Sequence, residues 1–167
     1  MRHFLALDGS PEGLEIPPSF SVFPQRGSGL AERLAAAFRD AGPPALLIGM
    51  DTPQVTSALL HEAIAILYSS DGAVLGPARD GGYWAIGLKE ASDAVFDGIP
   101  MSTECTFAVQ RTRLLALGWS VTSLPVLTDV DDICCAVDVA GRAPETRFAR
   151  QLGYITSRWV TMERAGR

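Results

Sequence analysis

Short apolar runs alternate with amphipathic stretches along this chain. His3 to Leu7 is an apolar run that stops at Asp8-Gly9-Ser10-Pro11, a succession of turn formers, and reads as a strand. Ser21 to Gln25 forms a second strand candidate after a proline-containing loop. Leu30, Leu34, Ala37 and Phe38 then recur at helical spacing, and that helix ends near Gly42-Pro43-Pro44. Ala45 to Gly49 is apolar throughout and too short for a helix, which predicts a buried strand of the parallel type. Thr56 stands where it can cap a helix whose inner face is Leu59, Leu60, Ala63, Ile64 and Leu67.

The alternation continues. Ala73 to Leu75 and Tyr83 to Leu88 read as strands around "GPARDGG", and a helix from about Glu104 to Leu117 follows, with Ser102 or Thr103 as its cap. Ser120 to Leu124 is the last predicted strand, and "TDVDD" leads into a short helix through Ala140. Pro144 to Leu152 is a further helix candidate, and the tail from Thr156 is weakly determined. Strand following helix in this way predicts an α/β fold, a mostly parallel sheet with helices on both faces. A single domain spans 1–167, with its core over about 3–140 and a C-terminal helix and tail over 141–167. Ligands of such sheets sit beyond the carboxyl ends of the strands, which is where chemistry is sought.

Composition narrows the classes. Hydrophobic residues are 47% and charged residues 20% of the chain, a balance that folds and is too apolar for disorder. A net charge of −5 offers no basic stripe for a nucleic-acid backbone, so nucleic acid is not an expected partner, while a single nucleotide is compatible. Cys105, Cys134 and Cys135 fit neither a disulfide framework nor a zinc spacing, which points to a reducing cytoplasm. No signal-peptide pattern opens the chain and no run approaches the roughly 18 apolar residues of a membrane span, so no membrane anchor is expected.

The acids at the predicted strand ends carry the candidate chemistry. Each has an ordinary structural role open to it: Asp51 an Asx turn, Asp80 the tight Asp-Gly turn, and Asp129, Asp131 and Asp132 the capping of a helix. Together they fall on one expected edge of the sheet, where two converging carboxylates offer the hard oxygen ligands that Mg²⁺ takes along with substrate phosphates. His3 and His61 are far apart, and neither a Ser/His/Asp arrangement nor a complete Gly-rich phosphate motif is present. Trp84, Trp119 and Trp159 read as packing residues, with Trp84 close enough to the DGG loop to approach a ligand.

Five ordered motifs, "QRGSGLAERLAAAF", "ALLIGMDTPQVT", "AVLGPARDGGYWAIGL", "GIPMST" and "LTDVDD", resemble the bacterial DUF2064 family, within the nucleotide-diphospho-sugar transferase superfamily of GT-A (Rossmann-like) fold. The resemblance covers about residues 3 to 140 and implies a glycosyltransferase-like enzyme using a nucleoside-diphosphate sugar and Mg²⁺ or Mn²⁺, with nucleotidyl transfer as the alternative. It implies Asp51 and Asp131 as metal ligands with Asp129 in support, and Asp80 as the candidate catalytic residue. Asp80, Gly81, Gly82 and Tyr83 match the segment lining the acceptor or sugar side, and Ser102 and Thr103 match the family's "WST". Gln25 and Gly29 match the segment near the nucleotide.

Two departures accompany the resemblance. The family opens with a further strand and a "KxPxPGxxKTRL" loop, and this chain begins after that unit, so an N-terminally truncated fold is expected. That leaves three readings: an active enzyme, a non-catalytic binding or scaffold homologue, or a start site placed too late with the unit encoded upstream. The loss would also leave an exposed sheet edge for a homodimer or heteromer. The second departure is "DVDDICCAV" in place of "DVDTPED".

Overall fold

The computed structural model describes residues 1–165, with side-chain surroundings through Arg158. Its elements run β1 (His3–Leu7), β2 (Phe20–Pro24), α1 (Leu30–Ala41), β3 (Ala45–Ile48), α2 (Ser57–Ser69), β4 (Gly72–Pro77), β5 (Tyr83–Leu88), a 3-10 turn at Asp93–Val95, α3 (Thr106–Ala116), β6 (Ser120–Ser123), α4 (Ile133–Arg142) and α5 (Arg147–Ala165). The strands form two sheets. β1 and β2 pair in parallel, and β3, β5, β4 and β6 lie side by side in that order. β4 is parallel to β6, while β5 runs antiparallel to both β3 and β4.

Alternation along β4 explains why helices occupy both faces. Ala73 and Leu75 enter one core with Leu34, Ala35 and Phe38 of α1, Leu114 of α3, and Val95 and Phe96. Val74 enters the other with Ala63 and Leu67 of α2, Ala85, Trp84 and Leu124. Burying each such Val, Leu or Ile contributes about 1.5–3 kcal/mol, so this double-faced sheet is the stable heart of the fold. The α/β class and its two helical layers agree with the sequence pattern.

The Thr56 hydroxyl accepts from the Leu59 amide and caps α2 as expected. Three expectations are corrected. β3, read as a strand of the parallel type, pairs antiparallel with β5 and has Ile48 41% exposed; an apolar run reports burial, not the direction of its neighbour. Neither Ser102 nor Thr103 caps α3: Cys105 holds the cap position without a side-chain bond, and the Thr103 amide donates instead to the Thr106 hydroxyl. The expected tail after Thr156 is part of α5, which continues to Ala165. Trp84 is buried with its indole N–H donating to the Pro125 carbonyl at 3.0 Å, and Trp119 packs beside the first core, both as packing residues. The surroundings of Trp159 lie outside the described residues.

Gly76 in β4 faces the Trp84 ring, and a Cβ added there would stand 2.5 Å from it. Gly76→Ala should therefore destabilise the chain by about 1–3 kcal/mol through overpacking, read as a lowered urea midpoint with unchanged m-value. A midpoint equal to that of the parent chain would show the indole free to move aside.

Candidate functional site

Backbone bonds bring three distant loops together beyond the ends of β3 and β4. The Leu127 amide donates to the Pro77 carbonyl at 3.1 Å, and the Arg79 amide returns a bond to the Leu127 carbonyl at 3.0 Å, extending the parallel ladder past β4. On the other side, the Val130 amide donates to the Asp51 carbonyl at 2.9 Å and the Gln54 side-chain amide to the Thr128 carbonyl at 2.7 Å. The segment carrying Asp129 and Asp131 is thus sewn between the loop of Asp51 and the loop of Asp80. The side chain of Gln54, which the sequence pattern did not single out, is one of those stitches.

These bonds crowd four carboxyl groups. Asp129 is half-buried, and its carboxyl is pushed up to about 7, first by burial and then by the charges of Asp51, Asp80 and Asp131, with a hydrogen bond to Asp80 adding to the effect. Its Oδ1 is buried and has no hydrogen-bond partner among the described residues. Asp51, Asp80 and Asp131 are exposed. Gly49 leaves room for Asp51, since a Cβ there would stand 2.8 Å from the Asp51 carboxylate. Asp132 is set apart from this group: its carboxylate accepts from the Cys135 amide at 2.7 Å and caps α4, the ordinary role foreseen for one acid of the cluster.

Asp80 is held in an Asx turn, its Oδ1 accepting from the Gly82 amide at 2.8 Å. Gly81 takes a positive φ of 92° and sits against the backbone of Glu104, while its carbonyl accepts the Phe107 amide at 2.8 Å. No residue with a side chain fits that contact. The turn is therefore docked on the start of α3, beside Ser102 and Thr103, both exposed. Ser102 is itself in the left-handed region, at φ 57°. The Tyr83 hydroxyl reaches the Gln110 side chain at 3.4 Å, and burial raises its pKa; Gln110, fully buried, passes the link on to the Val95 carbonyl at 2.8 Å.

Gln25 and Gly29 belong to a different group. Gln25 donates to the Ala6 carbonyl at 3.1 Å and accepts from Arg33 at 3.4 Å, and Arg33 also meets Asp8 at 2.6 Å. Gly29 is the extended N-cap of α1 with open space beside it, while Glu32 accepts from the Ser28 amide and hydroxyl. Among the described residues no hydrogen bond or ion pair joins this group to the four acids.

The acids suit a hard divalent cation in chemistry, and the orphaned Asp129 oxygen marks a place where positive charge is wanting. Among the described residues no three of His, Cys, Asp and Glu converge as a metal set. A cation there would need ligands besides these side chains, as Mg²⁺ commonly takes one or two carboxylates together with water and phosphate oxygens.

Asp129 also fixes a pH dependence. The folded chain keeps its proton up to about 7, whereas the carboxyl ordinarily releases it near 3.8, so the unfolded chain binds fewer protons between those values. Stability from this group therefore falls as pH rises across that window. Asp129→Asn should flatten the slope and raise stability by about 1 kcal/mol near pH 8, a figure discounted for solvent screening. Thermal melts of both chains from acid to neutral pH test this, and parallel profiles would show the repulsion to be relaxed in solution.

Two comparisons with known proteins bear on the family and the fold. The model of DUF2064, uncharacterized proteins conserved in bacteria, matches residues 3–103, the part that holds Asp51 and Asp80. The crystal structure of a putative nucleotide-diphospho-sugar transferase from Desulfovibrio desulfuricans G20 is similar at 30% sequence identity and a TM-score of 0.63, over 68% of this chain and 52% of that one. This chain thus spans about half the length of that relative. No curated protein matches. On the family match over 3–103, the chain belongs to the DUF2064 family.

Proposed function

We propose that the chain binds a nucleoside-diphosphate sugar with Mg²⁺ or Mn²⁺ and takes part in glycosyl transfer. The observation that supports this best is the gathering of Asp51, Asp80 and Asp131 around Asp129 by backbone bonds from three loops. Asp51 and Asp131 would hold the cation, with Asp129 in support. A bound cation would offset the negative charge that develops on a departing diphosphate.

The protein's own residues supply position. Gly49 gives the Asp51 carboxylate its room, and the stitches from Gln54 and Val130 hold the Asp131 segment against it. The Asx turn presents the exposed Asp80 carboxylate on a loop whose shape Gly81 and Gly82 fix, so an acceptor hydroxyl placed there would meet a fixed hydrogen-bond acceptor. Asp80 is the candidate base for such a hydroxyl. Ser102 and Thr103, beside that turn, would add neutral hydroxyls for a sugar, and the Gln25 and Gly29 group would face the nucleotide end. Nucleotidyl transfer from a triphosphate would use the same acids and differ in the bond broken.

A non-catalytic binding role is the second reading, favoured by β1 and β3 each pairing with one strand only among the described residues.

Calorimetry with UDP-, GDP- and TDP-sugars and the common nucleoside triphosphates should detect binding only with Mg²⁺ or Mn²⁺ present. Asp51→Ala should weaken it at least about tenfold, roughly 1.4 kcal/mol. Binding without turnover would favour the second reading, and absence of heat across the panel with either cation would defeat both.

A further inference from the structure

Among the described residues, four buried side-chain atoms lack a hydrogen-bond partner: Thr52 Oγ1, Gln54 Oε1, Asp129 Oδ1 and Ser70 Oγ. Ser70 stands alone at the end of α2. The other three share one seam, between the turn of residues 51–55 and the segment 127–130. A buried polar atom without a partner is costly, and folded proteins rarely leave one so. Three in one seam call for a ligand common to them.

Two bonds close this seam and bring the three together. The Val130 amide donates to the Asp51 carbonyl at 2.9 Å, and Thr52 is the next residue. The Gln54 side-chain nitrogen donates to the Thr128 carbonyl at 2.7 Å, and Asp129 stands between Thr128 and Val130. Each orphaned atom thus belongs to a residue that closes the seam or to its neighbour in the chain. The turn is held in shape by the Val55 amide, which donates to the Thr52 carbonyl at 3.1 Å. Asp51 is exposed and Thr52 only 4% exposed, so consecutive residues present a carboxylate outward and a hydroxyl inward.

The chemistry of the three atoms selects the ligand. All are oxygens: the bond to Thr128 fixes the nitrogen of the Gln54 amide, so its free atom is the carbonyl oxygen. An amide oxygen and a carboxylate oxygen accept, and a hydroxyl oxygen can accept as well. An anion has no place among them, least of all beside Asp51, Asp80 and Asp131. A divalent ion suits the exposed carboxylates better, because Mg²⁺ is held by charge and gives up its water reluctantly. Two neutral oxygens and one carboxyl, buried together, suit an ion of single charge, whose burial costs less.

We propose that the seam binds one monovalent cation, Na⁺ or K⁺, through Thr52 Oγ1, Gln54 Oε1 and Asp129 Oδ1, on the inner side of the exposed acids. The Asp51 and Thr128 carbonyls, each bonded once, keep a second lone pair for the same ion. Its charge offsets the repulsion among the four acids and leaves the exposed carboxylates of Asp51 and Asp131 free. Its structural effect is to lock the Asp51 turn against the Asp131 segment. The site stands apart from the transferase reading, since it needs neither a nucleotide nor a divalent ion. A chain that binds no nucleotide-sugar can still bind this ion, and the reverse holds too.

Thermal melts in KCl, NaCl and choline chloride test the site, with EDTA present to remove divalent ions and with pH and ionic strength held constant. K⁺ or Na⁺ at about 100 mM should raise Tm by about 2–6 °C over choline, which is too large for the seam, and the rise should saturate. Thr52→Val keeps the shape of the side chain without its hydroxyl and should abolish this salt-specific shift, whereas Thr52→Ser should retain much of it. Equal melts of the parent chain in all three salts would overturn the proposal in favour of a bridging water. A Thr52→Val chain stabilised equally in every salt would overturn it in favour of a dry seam relieved of an unpaired hydroxyl. Thallium NMR of the parent chain, with Tl⁺ as the monovalent probe, decides the matter should Thr52→Val fail to fold. A bound signal displaced by K⁺ or Na⁺ supports the site, and its absence overturns it.

Discussion

The candidate site depends on one piece of backbone, Leu127 to Val130, being bonded from both sides. Its amides and carbonyls reach Pro77 and Arg79 on one flank and Asp51 and Gln54 on the other. Each bond contributes only about 1 kcal/mol net. Their joint effect is geometric: residues separated by 74 positions in the chain, Gln54 and Thr128, become neighbours. Without this lacing the acids would belong to three independent loops, each free to swing its charge into water.

Holding them together has an electrostatic cost that the core can carry. Asp129 is forced to keep a proton near neutral pH by its own burial and by three neighbouring carboxylates. Such crowding of like charge is tolerated because both helical layers and the central strands β4 and β5 are buried independently of it. The strain sits where a positively charged partner would relieve it. Functional sites are commonly built this way, with local instability supported by a core that does not share it.

Much of this was legible in residues 3 to 140. Hydrophobic period separated strands from helices because it records burial directly, and Asp51, Asp80 and Asp131 were legible because acids after apolar runs mark strand ends. Strand direction was not legible: β3 looks the same whether β5 runs with it or against it, since period says nothing about hydrogen-bond pattern. The cap of α3 was misread because Ser102 and Thr103 are good capping types, while the Thr106 hydroxyl turns back to the Thr103 amide and the Pro100 carbonyl instead. The stitches through Gln54 and Leu127 lay beyond sequence reading, because nothing local in either residue predicts a partner so far along the chain. Among the described residues no helix is long and apolar enough to cross a membrane.

Asp131 and Asp132 are adjacent, yet one faces the acid cluster and the other holds the first turn of α4 through Cys135. The single peptide between them therefore acts as a rigid hinge pin. Asp131 cannot travel far without lifting the N-terminal cap from α4, a loss of about 1 kcal/mol. α4 in turn packs on α5, the longest helix of the chain. The C-terminal helical pair is thereby tied through one peptide bond to the acid cluster, so that a shift in either is felt by the other.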